Sequence, residues 1–249
     1  MLKFENVTFK YSKDSPEILE NFNVEFPTNT INVIMSANGL GKTTVLKLAS
    51  RILSPTKGRI ANSNKMISYV FQEDRLMDEL TVLDNLLMIV TAKKPGYERV
   101  SKRHATEAII KMLDLLGIKE CVNYYPAQLS GSMKKRVAIA RAFLHPGELL
   151  LMDEPFNNLD IELKTQIMKM FIKLWEHDKR TVLFVTHSAD EALTLGNRIY
   201  FLGNKPMRVM KKFDVKGSNA NRDLTSDLMI KYRRKIFKFF FDRVEEEHK

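Results

Sequence analysis

A chain of 249 residues, 44% hydrophobic and 28% charged, carries enough apolar content to bury a large core in one domain, or in one domain with a subdomain. No run approaches the ~18 to 20 apolar residues of a bilayer span, and the opening Met1-Leu2-Lys3-Phe4-Glu5 has no apolar signal core, so a cytosolic location is expected; Cys121, the single cysteine, excludes an internal disulfide or a cysteine-based metal cluster within one chain. The formal charge of +10 is a weak argument for nucleic acid, because residues 203 to 249 hold 13 Lys and Arg against 7 Asp and Glu and so carry most of the excess.

In chain order, Leu2, Phe4, Val7 and Phe9 alternate with polar residues, and Phe22-Asn23-Val24-Glu25-Phe26 does the same, so both predict half-buried strands of an antiparallel edge sheet. An apolar strand from Ile31 to Met35 follows. It leads into Ser36, Ala37, Asn38, Gly39, Leu40, Gly41, Lys42, Thr43, Thr44 and Val45, which fit the pattern G-x-x-x-x-G-K-[ST] except at its first position. Glycines there let successive backbone N–H groups converge on phosphate oxygens, and Gly39 and Gly41 serve that purpose. Lys42 would sit between the β- and γ-phosphates, Thr43 would ligate Mg²⁺, and Thr44 is a further phosphate contact. A helix with Val45, Leu48 and Ile52 at i, i+3 and i+7 is predicted next, its positive end aimed at the phosphates. At Ser36 a Cβ replaces a glycine, which strains the loop only if the position requires positive φ.

Three further apolar runs, Ile67 to Phe71, Leu149 to Met152 and Thr181 to Val185, read as buried strands of a parallel sheet. Between Glu73 and Pro146 the period becomes helical, with Ala108, Ile109, Met112, Leu115 and Leu116 on one stripe and Gly117 as a stop, while Pro55, Pro95 and Pro126 mark turns. The run at 149 ends in Asp153 and Glu154, where ligands gather in open α/β sheets. Asp153 is the Mg²⁺-side carboxylate, and Glu154 is placed to accept a proton from a water attacking the γ-phosphate. In the tail, Lys231, Arg233, Arg234, Lys235 and Lys238 alternate with Ile236, Phe237, Phe239, Phe240 and Phe241, predicting a basic amphipathic helix. Packing of its aromatics on the domain is favoured over contact with a membrane surface, with nucleic acid third.

Leu129-Ser130-Gly131-Ser132-Met133, followed by Lys134, Lys135, Arg136 and the helical run Val137 to Ala142, resembles the L-S-G-G-Q signature of ATP-binding cassette (ABC) transporter ATPases, departing at Ser132 and Met133. The resemblance implies that Ser130 and Gly131 contact the γ-phosphate of a nucleotide held by an opposing subunit. It implies that Gln72 senses Mg²⁺ and the membrane partner, and that Asp160, in Asn158-Leu159-Asp160, crosses the dimer interface. His187 would touch the γ-phosphate and Tyr11 would stack on adenine, although Tyr11 also reads as packing on an edge strand beside Phe9. Residues 71 to 76, 80 to 85, 152 to 156 and 184 to 187 are similar to the nitrate, sulfonate and taurine importer ATPases, a group whose related subunits serve bicarbonate or thiamine-precursor uptake.

The fold this implies is α/β: a P-loop NTPase with a RecA-like parallel-sheet core, an antiparallel β subdomain and an inserted helical subdomain. It would be a single domain over 1–249, with 1–72 and 147–212 as core and β subdomain, 73–146 as helical subdomain and 213–249 as basic tail. The implied cofactors are ATP and Mg²⁺, with Lys42, Glu154 and His187 as the catalytic set. The implied partners are a second copy of the chain in an ATP sandwich, separate transmembrane permease subunits, and an extracytoplasmic solute-binding protein acting through them, with the chain peripheral on the inner face of the membrane. A nucleotide-gated regulatory subunit with weak or no hydrolysis is the alternative suggested by Ser36, Ser132 and Met133. No nucleic acid is expected, since a DNA- or ribosome-associated ATPase is disfavoured by the single cassette.

Overall fold

A computed structural model describes residues 1–36, 39–62, 66–93 and 98–247, with side chains described through residue 240. The predicted turn at Pro95 and the side chain of Phe241 lie outside that range. The chain begins β1 (Leu2–Phe9), β2 (Leu19–Phe26), β3 (Ile31–Met35), α1 (Lys42–Ala49) and β4 (Lys57–Asn62). It continues β5 (Ile67–Val70), α2 (Val82–Thr91), α3 (Lys102–Leu115), α4 (Gly131–Leu144), β6 (Leu149–Asp153) and α5 (Ile161–His177). It closes with β7 (Thr181–Val185), α6 (Ala189–Leu195), β8 (Arg198–Gly203), β9 (Arg208–Asp214) and α7 (Asp227–Glu247). Two compact units divide these elements: residues 1–64 with 179–249, and residues 65–178.

In the first unit β1 is the central strand of an antiparallel sheet, pairing with β2 on one side and β4 on the other. Alternation puts Leu2 and Phe4 on the buried face with Phe22 and Phe26 from β2, and their rings meet edge to face, Phe4 with Phe22 at 5.6 Å and Phe26 with Tyr200 at 4.9 Å. The other strands of this unit are parallel around β3, which pairs with β7 (Ile31 opposite Val182) and with β8 (Val33 opposite Ile199), while β9 returns antiparallel on β8. Every residue of β3 and β7 is buried, as continuous apolar runs in a parallel sheet require. α7 lies on β8 and β9, with Phe239 4.5 Å from Phe201 and Tyr232 stacked on Phe213 at 5.5 Å. The tail is therefore a packed helix; Met229, Tyr232 and Ile236 are buried, whereas Phe237 is 48% exposed.

α1 is shorter than its predicted stripe. It ends at Ala49 because Arg51 turns left-handed (φ 62°) and the amides of Ile52 and Leu53 fold back onto the Lys47 carbonyl, a Schellman-type stop that throws Ile52 to the surface at 59% exposure.

In the second unit β5 and β6 are parallel, Ile67 opposite Leu149, and are followed or preceded by helices. β6 is buried throughout, but β5 stops at Val70 and alternates, with Ile67 and Tyr69 half-buried, so it is not the fully buried strand expected. α3 begins at an Ser101 cap and buries Ala105, Ile109 and Leu113, continued by Leu116, rather than the stripe through Ala108 and Leu115; Leu115 is 67% exposed. Ile109 and Leu116 of the expected stripe are buried, whereas Ala108 and Leu115 lie just outside the 3.6-residue face that Ala105 and Leu113 complete. Gly117, at φ 63°, ends the helix as anticipated. α4 and α5 meet through Phe143 and Phe171 at 5.7 Å, and Cys121 is a buried free thiol whose pKa burial and the adjacent Glu120 push up.

Candidate active site

The candidate residues fall in both units. In the first, β3 delivers the chain to Ser36, which is buried, and the carbonyl of Ser36 accepts a 3.0 Å hydrogen bond from the ammonium of Lys42, itself only 7% exposed. A buried ammonium requires such a partner, and this one holds the side chain back along the loop. Ala37 and Asn38 lie outside the described residues. Gly39 and Gly41 are left-handed, φ 76° and 98°, and a Cβ on Gly41 would come within 2.7 Å of Ile18 Cγ2 and 3.2 Å of Met207 Cε. Gly41 is thus required both by backbone conformation and by space. Ser36 is not among the described residues with positive φ, so its Cβ adds no strain where the motif has glycine.

Gly41 opens α1 without a side-chain cap, and its carbonyl receives the amides of Thr44 and Val45 at 2.9 and 3.2 Å. An uncapped helix start of this kind presents first-turn N–H groups and a partial positive charge to an anion. Leu40 is half-buried and Thr43 exposed. Thr44 is buried, and its hydroxyl is 2.8 Å from the Tyr11 hydroxyl. Tyr11 lies beyond the end of β1, which is a central and not an edge strand; its ring is 57% exposed and stands edge-on to Phe9 at 5.0 Å. His187 follows β7, exposed, at the end of the strand where Ile34 and Val185 are in register and where the Thr186 amide donates to the Ile34 carbonyl at 3.2 Å. The structure thus brings Ser36, Lys42, Thr44 and Tyr11 together and places His187 beside the strand that feeds the loop.

In the second unit the pairing of Val70 with Met152 brings Gln72 and Asp153-Glu154 out at the same C-terminal end of the β5–β6 pair. Asp153 is 6% exposed, and burial together with its charge holds the Tyr69 phenol above the usual range, partly offset by Arg75. Glu154 occupies the left-handed region (φ 44°), and its carboxylate accepts from the Asn157 amide. For a non-glycine residue that backbone costs ~1 to 3 kcal/mol, a cost typical of functional positions.

Gln72 is exposed, and its carbonyl accepts from Lys135 Nζ at 3.1 Å; the same ammonium pairs with Asp74 at 2.7 Å. Arg141, one and a half turns further along α4, donates to the carbonyls of Asp74 and Arg75 at 2.9 and 2.7 Å, and burial lowers its pKa. Sequence reasoning passed over both anchors of the Gln72 loop. The signal was present, because Lys135 shares its helix face with Ala138, Ile139 and Ala142, all buried.

Ser130 caps α4, accepting from the Met133 amide at 3.3 Å, and its hydroxyl is 2.9 Å from that of Ser132. A Cβ on Gly131 would meet nothing within 4 Å, so no contact among the described residues demands glycine there. Asp160 caps α5 through the Leu163 amide at 2.9 Å, a role that leaves its second oxygen available. Among the described residues no group of three or more His, Cys, Asp and Glu side chains is arranged to hold a metal. A hydroxyl, as on Thr43 in the first unit, and a carboxylate, as on Asp153 in the second, are each the kind of hard oxygen donor that Mg²⁺ favours.

Residues 19–157 match the family model described as ABC transporter. The formylaminopyrimidine import ATP-binding protein of Halalkalibacterium halodurans is 33% identical over 239 residues, 96% of this chain and 94% of that relative. The aliphatic sulfonates import ATP-binding protein of Bacillus thuringiensis is 29% identical, over 93% of this chain and 92% of its own. Among solved structures, a dimeric ATP-binding cassette in a post-hydrolysis state, bound to ADP and Pi, superposes with a TM-score of 0.75 at 29% identity, over 87% of this chain and all of that one.

Proposed function

This chain belongs to the ABC transporter family, and from that premise we propose that it is the ATP-hydrolysing subunit of an importer, two copies of which close head to tail around two ATP molecules. The observation that carries the reading is the buried Lys42 ammonium, held on the Ser36 carbonyl at the open start of α1 that two left-handed glycines, Gly39 and Gly41, lead into. That arrangement is built for a polyphosphate.

Lys42 and the first-turn N–H groups bind the β- and γ-phosphates, and Tyr11, already fixed through Thr44, offers its exposed ring to the adenine. Thr43, Asp153 and Gln72 are the residues that would hold Mg²⁺, which would supply positive charge against the phosphate oxygens. Glu154 accepts the proton of the attacking water and His187 holds the γ-phosphate; positioning and electrostatics supply the acceleration. Ser130 and Gly131 of one copy complete the site of the other. The open space at Gly131 supports a close approach from outside the chain, and the free oxygen of Asp160 supports a role at the same seam.

No described helix is long and apolar enough to cross a membrane, and on the importer reading the channel belongs to transmembrane subunits. Gln72 and residues 73 to 85 would couple to those subunits at the cytoplasmic face, the loop being held by Lys135 and Arg141. A solute-binding protein outside would deliver a small anion, a sulfonate or a thiamine-precursor-like solute, in line with the formylaminopyrimidine and aliphatic-sulfonate import of the two relatives. The test is sedimentation of Glu154→Gln with Mg²⁺ and ATP. A dimer retaining one ATP per chain is expected, and a protein that stays monomeric at saturating ATP contradicts the reading.

A further inference from the structure

The backbone on both sides of His187 is tied to α6. Thr186 donates from Oγ1 to the buried Glu191 carboxylate at 2.6 Å and accepts from the Ser188 amide at 3.0 Å, while Ser188 caps α6 by accepting from the Glu191 amide at 3.3 Å. Wherever α6 sits, His187 follows. A seven-residue helix is too short to hold itself in place, and its end leaves carbonyls without intrahelical donors.

Residues of the C-terminal segment meet that need. Arg222 donates from Nη1 to the carbonyls of Leu193 (2.9 Å), Thr194 (3.4 Å) and Gly196 (2.5 Å), and from Nη2 to those of Val215 and Gly217, placing a cation at the negative end of α6. Asn219 donates to the remaining carbonyl, Leu195, and accepts at 2.8 Å from Asn197, whose own carbonyl side oxygen accepts from the Ile31 amide at the start of β3. At the other end of α6, Asp190 pairs with Arg233 of α7 at 2.6 Å. α7 is itself fixed on β8 and β9 by the ring contacts of Tyr232 and Phe239.

We propose that Arg222 and Arg233 are positioning residues for His187: the C-terminal segment straps both ends of α6 and so sets the histidine that contacts the γ-phosphate. This rests on the reading of His187 given above, and the mechanism otherwise makes no use of the tail. A cation-only role for the basic helix leaves these contacts unexplained, because Arg222 and Arg233 engage α6 and are partly covered while Lys231, Arg234, Lys235 and Lys238 remain exposed.

The experiment measures kcat and, separately, ATP affinity on the full-length chain for Arg222→Gln, Asp190→Ala, Arg233→Ala, the Asp190→Ala/Arg233→Ala double variant and His187→Ala. Arg222→Gln is expected to lose ~tenfold or more in kcat, inside the ~100-fold that a misplacement of about an ångström costs. The exposed pair is expected to lose ~twofold to fivefold, with the double variant no worse than either single one. ATP affinity stays at wild type in the Arg222, Asp190 and Arg233 variants, and in these amide exchange rises over 186–196 but not over 39–49. Unchanged kcat in Arg233→Ala and Asp190→Ala, additive losses in the double, or affinity falling in step with kcat overturns the proposal, and the surface pair keeps the test valid should Arg222→Gln fail to fold. Full turnover by His187→Ala would instead overturn the reading of His187 on which it stands.

Discussion

Two neighbouring loop positions make opposite demands on their residue type. Gly41 is left-handed and its missing Cβ would strike Ile18, so Gly41→Ala should lose ~1 to 3 kcal/mol of stability and weaken ATP binding, measured by thermal unfolding and nucleotide titration. Ser36, buried and free of positive φ, should accept Ser36→Gly with a loss of only ~0.5 to 1 kcal/mol and a change in ATP affinity below ~tenfold. A large gain in affinity from Ser36→Gly would mean that the serine hinders the loop. The motif residues were legible because they are few chemical types at fixed spacing. The left-handed backbone of Glu154 was not, since nothing in a glutamate signals that conformation, and the Lys135 anchor shows only in the helix face it shares with Ala138, Ile139 and Ala142.

Elements bounded by composition were easier to find than elements bounded by geometry. β3 and β7 were read to the residue because five consecutive buried residues stand between polar neighbours. The predicted α1 runs past Ala49 because an arginine carries no mark of the left-handed turn that Arg51 makes, and the predicted α3 stripe holds at Ile109 and Leu116 but not at Ala108 and Leu115, because the apolar residues there are too dense to fix a phase. At the tail, packing and not charge should dominate stability. Ile236→Ala, at 1% exposure, should cost ~2 to 5 kcal/mol, whereas Phe237→Ala, at 48%, should stay within ~0.5 kcal/mol in denaturant unfolding. On the β1–β4 pair, Arg59 directly opposite Glu5 and Lys3 beside it hold the Glu5 carboxyl down to about 2 from 4.5. A depressed folded-state pKa stabilises above the unfolded value and the benefit disappears as pH falls towards the folded one. The difference in urea midpoint between wild type and Glu5→Gln should therefore be present at pH 7, shrink between pH 4.5 and about 2, and be reduced by salt.

For the molecule as a whole, membership of the ABC transporter family and the α/β cassette fold agree with what the ordered motifs implied. What lay beyond reach of the sequence was long-range: Arg222 and Asn219 close the end of α6 across more than twenty residues of chain, and no local pattern announces such a contact. On the function proposed here each nucleotide would be shared by two chains, so activity should depend on concentration as well as on residues. The most direct measurement is phosphate release from Mg²⁺ and ATP by wild type beside Glu154→Gln, over a protein concentration series that spans dimer formation. Turnover rising more steeply than linearly with protein, and absent in Glu154→Gln, is the predicted result; turnover strictly proportional to concentration from a monomer, or retained in Glu154→Gln, would contradict it.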